Sequence, residues 1–67
     1  MAIATGTVSQ FDEAAGLGSI DGDDGIAYQF HCIQISDGTR TIDAGRRVAF
    51  SRLPRFGGVE AGDVTKL

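Results

Sequence analysis

The chain has 67 residues with one cysteine, one histidine, one proline and ten glycines, and its formal net charge is −3. A chain this short buries only roughly 60% of the surface its unfolded form exposes, so one thin-cored domain over residues 1–67 is expected. A single cysteine excludes an internal disulfide, and one histidine beside one cysteine cannot supply a structural zinc site.

The predicted elements are all β, with short alternating runs at regular spacing and no apolar stripe at helical spacing for more than two turns. Ala4 to Phe11 reads as a first strand, and Asp12 to Gly16 as a tight connection. Leu17 to Asp21 is a second strand. Gly16 and Gly18 there mark a bend or a close approach. Asp21-Gly22-Asp23-Asp24-Gly25 carries the Asp-Gly signal of a hairpin turn, because glycine supplies the positive φ such turns need. The return strand, Ile26 to Cys32, alternates: Tyr28, Phe30 and Cys32 fall on one face, Gln29 and His31 on the other.

Ile33-Gln34-Ile35 suits a short helical turn, Ser36 to Thr41 a polar loop, and Asp43-Ala44-Gly45 a turn into a fourth strand, Arg46 to Leu53. Pro54-Arg55-Phe56-Gly57-Gly58 reads as another turn, and Val59 to Leu67 as a fifth strand. Five strands in this length predict a small closed barrel, which leaves no exposed sheet edge. The expected core is Val8, Ile20, Ile26, Tyr28, Phe30, Ile35, Val48, Phe50 and Val64.

Charge is unevenly placed. Residues 1–33 hold five carboxylates and no Lys or Arg, whereas residues 34–67 sum to +2. Overall acidity argues against strong non-specific nucleic-acid binding, which depends on neutralising phosphates. There is no basic segment leading into an apolar run at the N-terminus and no apolar stretch near the length of a membrane span. The expectation is a soluble cytoplasmic protein without a membrane partner, in which Cys32 is a reduced, half-buried thiol.

The chain resembles the bacterial cold-shock proteins along its whole length. Thr5-Gly6-Thr7-Val8-x-x-Phe11 is similar to the family's first strand, usually G-x-V-K-W-F-N. Ala15-Gly16-Leu17-Gly18-Ser19-Ile20 stands where the family has K-G-F-G-F-I, and Tyr28-Gln29-Phe30-His31 where it has V-F-V-H. Gly45-x-x-Val48-x-Phe50 and Gly58-x-x-Ala61-x-x-Val64 match the last two strands. The resemblance implies a five-stranded antiparallel OB-fold-like barrel that binds single-stranded RNA or DNA and acts on RNA structure or gene expression.

The residues of the binding platform differ from the family pattern. The first-strand Trp is Gln10 here, the two aromatics of the first motif are Leu17 and Ser19, and its opening lysine is Ala15. The aromatic of the second motif is Gln29, and the one after the histidine is Cys32; only His31 remains as the family writes it. Stacking is worth roughly 1–3 kcal/mol per base. Loss of several such contacts implies binding weaker by about a thousandfold or more. The candidate nucleic-acid contacts are therefore Gln10, Phe11, Leu17, Ser19, Gln29 and His31, with Arg40, Arg52 and Arg55 for phosphates and Phe56 as a displaced stacking residue. The other reading is a protein-interaction module that keeps the barrel and re-uses the polar Gln10–Ser19–Gln29 face for a protein partner.

No cofactor and no metal are expected. Gly16-Leu17-Gly18 lacks the third glycine and following helix of a nucleotide loop, and the acidic turn lacks the twelfth-position Glu and the flanking helices of an EF-hand. Catalysis is not expected either, since His31 and Cys32, as strand neighbours, should point to opposite faces and so cannot form a nucleophile–base pair.

Overall fold

A computed structural model describes residues 3–55 and 58–67; the side chain of Arg55 and the residues Phe56 and Gly57 lie outside that description. Five strands form in the expected order: β1 (Ile3–Asp12), β2 (Leu17–Gly22), β3 (Ala27–His31), β4 (Arg47–Arg55) and β5 (Gly58–Lys66). A short 3₁₀ turn, Cys32–Gln34, follows β3. The strands close into a barrel in the order β1-β2-β3-β5-β4. Four of the pairings are antiparallel. The closing one, β3 with β5, is parallel and is carried by Gln29 opposite Glu60, with an isolated parallel bridge from Ile35 to Val64 beside it.

Alternation places the core. Val8, Ile20, Tyr28, Phe30, Ile35, Val48, Phe50 and Val64 are buried as expected, joined by Ala4, Ile42 and Ala61. Ile26 is the exception, 49% exposed rather than in the core. It belongs to the hairpin turn, where its N–H donates to Asp24 Oδ1 (2.9 Å) and its carbonyl accepts from Gly22 N–H (2.8 Å). The strand proper starts one residue later. Ile42, from the connection between β3 and β4, adds to the core a residue that belongs to no strand.

Pro54 and Arg55, expected in a turn, instead extend β4, with Pro54 opposite Val59 and Arg55 opposite Gly58. The β1 partner of β4 ends at Ser51. Among the described residues, Pro54 therefore sits where β4 is paired on one side only, and an edge position tolerates the missing N–H. Near its middle, β1 carries an irregularity: Val8 faces Ile20, but the next paired residue, Gln10, faces Ser19, so Ser9 is one residue extra. Inward positions shift from even to odd numbers there. Phe11, not Gln10, turns toward the core and stacks on Phe30, ring centroids 5.9 Å apart.

Two glycines make this packing possible. At Gly18 a Cβ would stand 2.5 Å from the Phe30 ring and 2.9 Å from the Phe11 ring, closer than atoms approach. Gly16 has φ +68° and closes the β1–β2 turn, its N–H donating to Asp12 O at 2.8 Å.

Candidate nucleic-acid interface

The outer face of β1, β2 and β3 follows from the register. Gln10, Ser19 and Gln29 lie in one row across the three strands, and Asp12, Leu17 and His31 in the next. Gln10, Leu17, Gln29 and His31 are exposed and Ser19 is half-buried. Five of the expected platform residues thus meet on one surface. Phe11 does not join them, being half-buried against the core on the other side of the strand.

Two side chains on this surface are held in place. Gln29 Nε2 donates to Ser19 Oγ at 3.1 Å, a cross-strand bond that fixes the amide. His31 Nδ1 accepts from Ile33 N–H at 3.3 Å, capping the 3₁₀ turn. A ring whose Nδ1 accepts carries its proton on Nε2, which leaves Nε2–H as the free donor of an exposed imidazole. The expectation that His31 and Cys32 point apart is overturned: Cys32 Sγ lies 3.7 Å from His31 Nδ1. Strand alternation stops at His31, because Cys32 already belongs to the 3₁₀ turn.

The cations are distributed differently from the expectation. Arg52 donates through Nε to the Tyr28 hydroxyl (2.9 Å) and through Nη2 to Asp24 Oδ2 (3.1 Å), while Tyr28 donates to the same carboxylate oxygen at 2.6 Å. The Tyr28 hydroxyl, then the Ile26 N–H and Arg52, hold the Asp24 carboxyl below the usual carboxylate range. Arg47 forks onto Asp23 and also donates to Thr7 Oγ1 at 3.0 Å. Both arginines thereby fasten β4 to the hairpin turn, at the end of the β2–β3 hairpin away from Leu17 and His31. The acidic turn is an anchorage for arginines.

Arg40, exposed and at φ +58°, forms no side-chain bond among the described residues. Its neighbour Thr41 donates to Glu13 Oε1 at 2.5 Å, which ties this loop to the β1–β2 turn bordering the Leu17–His31 row. Arg46, which the sequence did not single out, is likewise exposed; its carbonyl accepts from Val8 N–H at 2.9 Å, so it lies beside the β1 irregularity. Its signal was faint, one arginine beside another at a strand start. The expected contacts through the Arg55 side chain and Phe56 fall outside the described residues. On the strands themselves the face carries Asp12 and Asp21 and no Lys or Arg from residues 1–33.

A closed barrel of five strands in this order, with a polar and apolar patch across β1–β3, defines the OB-fold class of binding domains. Within that class, the model of the 'Cold-shock' DNA-binding domain matches residues 4–67, and the chain belongs to that family, whose members are nucleic-acid-binding domains rather than enzymes. Comparison with curated proteins gave no match. Among the described residues no helix is long and apolar enough to cross a membrane, which says nothing of membrane β-barrels.

Proposed function

We propose that the protein binds single-stranded RNA or DNA across the outer face of β1–β3, with lower affinity than an aromatic platform would give, and acts in the cytoplasm on RNA structure or gene expression. The observation that carries this is the convergence of Leu17 with His31 and of Ser19 with Gln29 as cross-strand partners on one exposed surface. Leu17 covers a base face, His31 stacks on a base or donates from Nε2, and Gln10 and Gln29 hydrogen-bond to base edges. Arg40 supplies a phosphate contact from the adjoining loop, while Arg52 is committed to Asp24 and Tyr28. Affinity is low because several stacking contacts of roughly 1–3 kcal/mol each are replaced by side chains without a π-face.

A second reading is favoured by one observation, the carboxylates Asp12 and Asp21 on a strand face without Lys or Arg. Such a face suits a protein partner better than phosphates. Fluorescence anisotropy of a labelled pyrimidine-rich strand, at low and at physiological salt, separates the two. Saturable binding that weakens with salt and falls further in His31→Ala supports the single-strand reading. No binding at high protein concentration, even in low salt, overturns it in favour of the protein partner.

A further inference from the structure

We infer that Thr41 and Glu13 are positioning residues for Arg40: the bond between them draws the β3–β4 connection against the β1–β2 turn and aims the Arg40 guanidinium at a phosphate of a strand lying on the Leu17–His31 row. The inference rests on the single-strand reading above and adds to it the means by which the phosphate contact is aimed.

The backbone around Arg40 is fixed on both sides. On one side, the N–H and the hydroxyl of Thr39 both donate to Asp37 Oδ1, at 3.0 and 2.8 Å. Lys66 clamps the same corner, donating to Thr39 Oγ1 at 3.0 Å and meeting Asp37 Oδ2 at 2.9 Å. On the other side, Thr41 Oγ1 donates to Glu13 Oε1 at 2.5 Å, and Ile42 next to it is buried in the core. Glu13 belongs to a turn that has its own bonds, with Asp12 Oδ1 accepting from the N–H groups of Ala14 and Ala15. Asp12 is the β1 partner of Leu17, and Leu17 is the β2 partner of His31. The bond from Thr41 to Glu13 therefore brings residue 40 to the end of that row.

The Arg40 side chain takes no part in this frame. Its φ of +58° lies in the left-handed region, which a residue with a Cβ seldom adopts and which glycine would enter without strain. The side chain is exposed and has no partner among the described residues. Lys66, Arg47 and Arg52, by contrast, are each engaged by a carboxylate. An arginine kept at a strained position with its guanidinium free is placed for a group outside the chain. Beside a single-strand surface that group is a phosphate.

The test is anisotropy of a labelled short dT strand at low salt, with melting curves on each variant. Thr41→Val, which keeps the shape and removes the hydroxyl, is expected to weaken binding by about threefold, the order of one exposed ion pair. Thr41→Ser, which keeps the donor, should bind as the unaltered protein does. In an Arg40→Gln background Thr41→Val should cost nothing further, because it acts through the same guanidinium. Arg40→Gly should lose as much affinity as Arg40→Gln with Tm no lower than that of the unaltered protein. Unchanged binding in Thr41→Val overturns the inference and leaves the single-strand reading standing, and so does a loss that persists without Arg40. A fall of Tm in Arg40→Gly also overturns it, since the arginine would then serve the fold. Absence of binding by the unaltered protein overturns both.

Discussion

The two terminal nitrogens of Arg47 each donate to a different oxygen of Asp23, at 2.8 and 2.7 Å, so the first residue of β4 grips the β2–β3 turn through a planar fork. That geometry, with Thr5 Oγ1 donating to the same carboxylate at 2.6 Å, holds the Asp23 carboxyl far below its ordinary range. Asp37, which accepts from Thr39 N–H and meets Lys66 at 2.9 Å, is lowered from 3.8 to about 2. Each of these groups is more acidic folded than unfolded. Its contribution is therefore complete above the unfolded value and disappears as pH falls through the folded one. Thermal unfolding should show a Tm that is level down to pH 5 and declines from about pH 4 toward pH 2. An Asp23→Asn/Asp37→Asn double variant should lose most of this acid limb. A wild-type Tm unchanged at pH 2.5 would contradict the assignment. Both pairs reach the surface, with the Asp23 and Asp37 side chains about half exposed, so added salt should weaken the effect.

Gly18→Ala should destabilise the barrel by about 1–3 kcal/mol, because its methyl group has to enter the space shared by Phe11 and Phe30. Urea denaturation followed by circular dichroism measures this. Gly38, whose Cβ would meet nothing but whose φ is +76°, offers the control: Gly38→Ala should lose stability through backbone strain alone, without disturbing the aromatic pair.

Two arginines that look alike in the sequence should separate in function. Arg40→Gln should reduce the dependence of log affinity on log salt by about 0.7, the contribution of one phosphate contact on a single strand. Arg52→Gln should leave that slope unchanged and lower Tm, because its guanidinium belongs to Asp24 and Tyr28. Salt titrations of binding on the two variants, with melting curves alongside, decide the matter. A reduced slope in Arg52→Gln would return Arg52 to the interface.

Gln29→Phe should raise single-strand affinity by about fivefold to a hundredfold, the value of one base–aromatic contact. Its position on a strand and its exposure make an aromatic residue acceptable to the fold. The same variant should bind dA- and dT-containing strands alike, since a ring does not read edges. A gain confined to one base would count against the stacking explanation.

Much of the architecture was legible in the sequence, because two-residue periodicity and glycine-rich turns report strands directly. Val8, Tyr28, Phe30, Val48 and Phe50 are buried where alternation puts them. The departures occur where alternation stops. Ile26 continues the β3 pattern on paper, but the Asp24 carboxylate captures its N–H and keeps it in the turn. Cys32 likewise continues the strand on paper, yet it opens a 3₁₀ turn and comes back beside His31. Pro54 reads as a turn because proline rarely sits within a ladder; among the described residues β1 pairs with β4 as far as Ser51, which leaves Pro54 an edge position. At the candidate site, the resemblance located the row of Gln10, Ser19 and Gln29. It could not reveal that Arg52 was already engaged, since ion pairing between residues 24 and 52 leaves no local signature.

The supernumerary Ser9 gives β1 a change of parity. Upstream of it even-numbered residues face the interior, and downstream odd-numbered ones do. Deleting that one serine would bring Gln10 directly after Val8 and still opposite Ser19, a regular ladder in which Gln10 stays outside and Phe11 stays inside. With Ser9 kept, a β1 paired without the irregularity would instead turn Gln10 inward and set the Phe11 ring on the outer surface, at the expense of the Phe11–Phe30 stack. The chemistry this surface offers a ligand is thus governed by a count of residues as much as by their identities, with one local irregularity standing between a polar and an aromatic first strand.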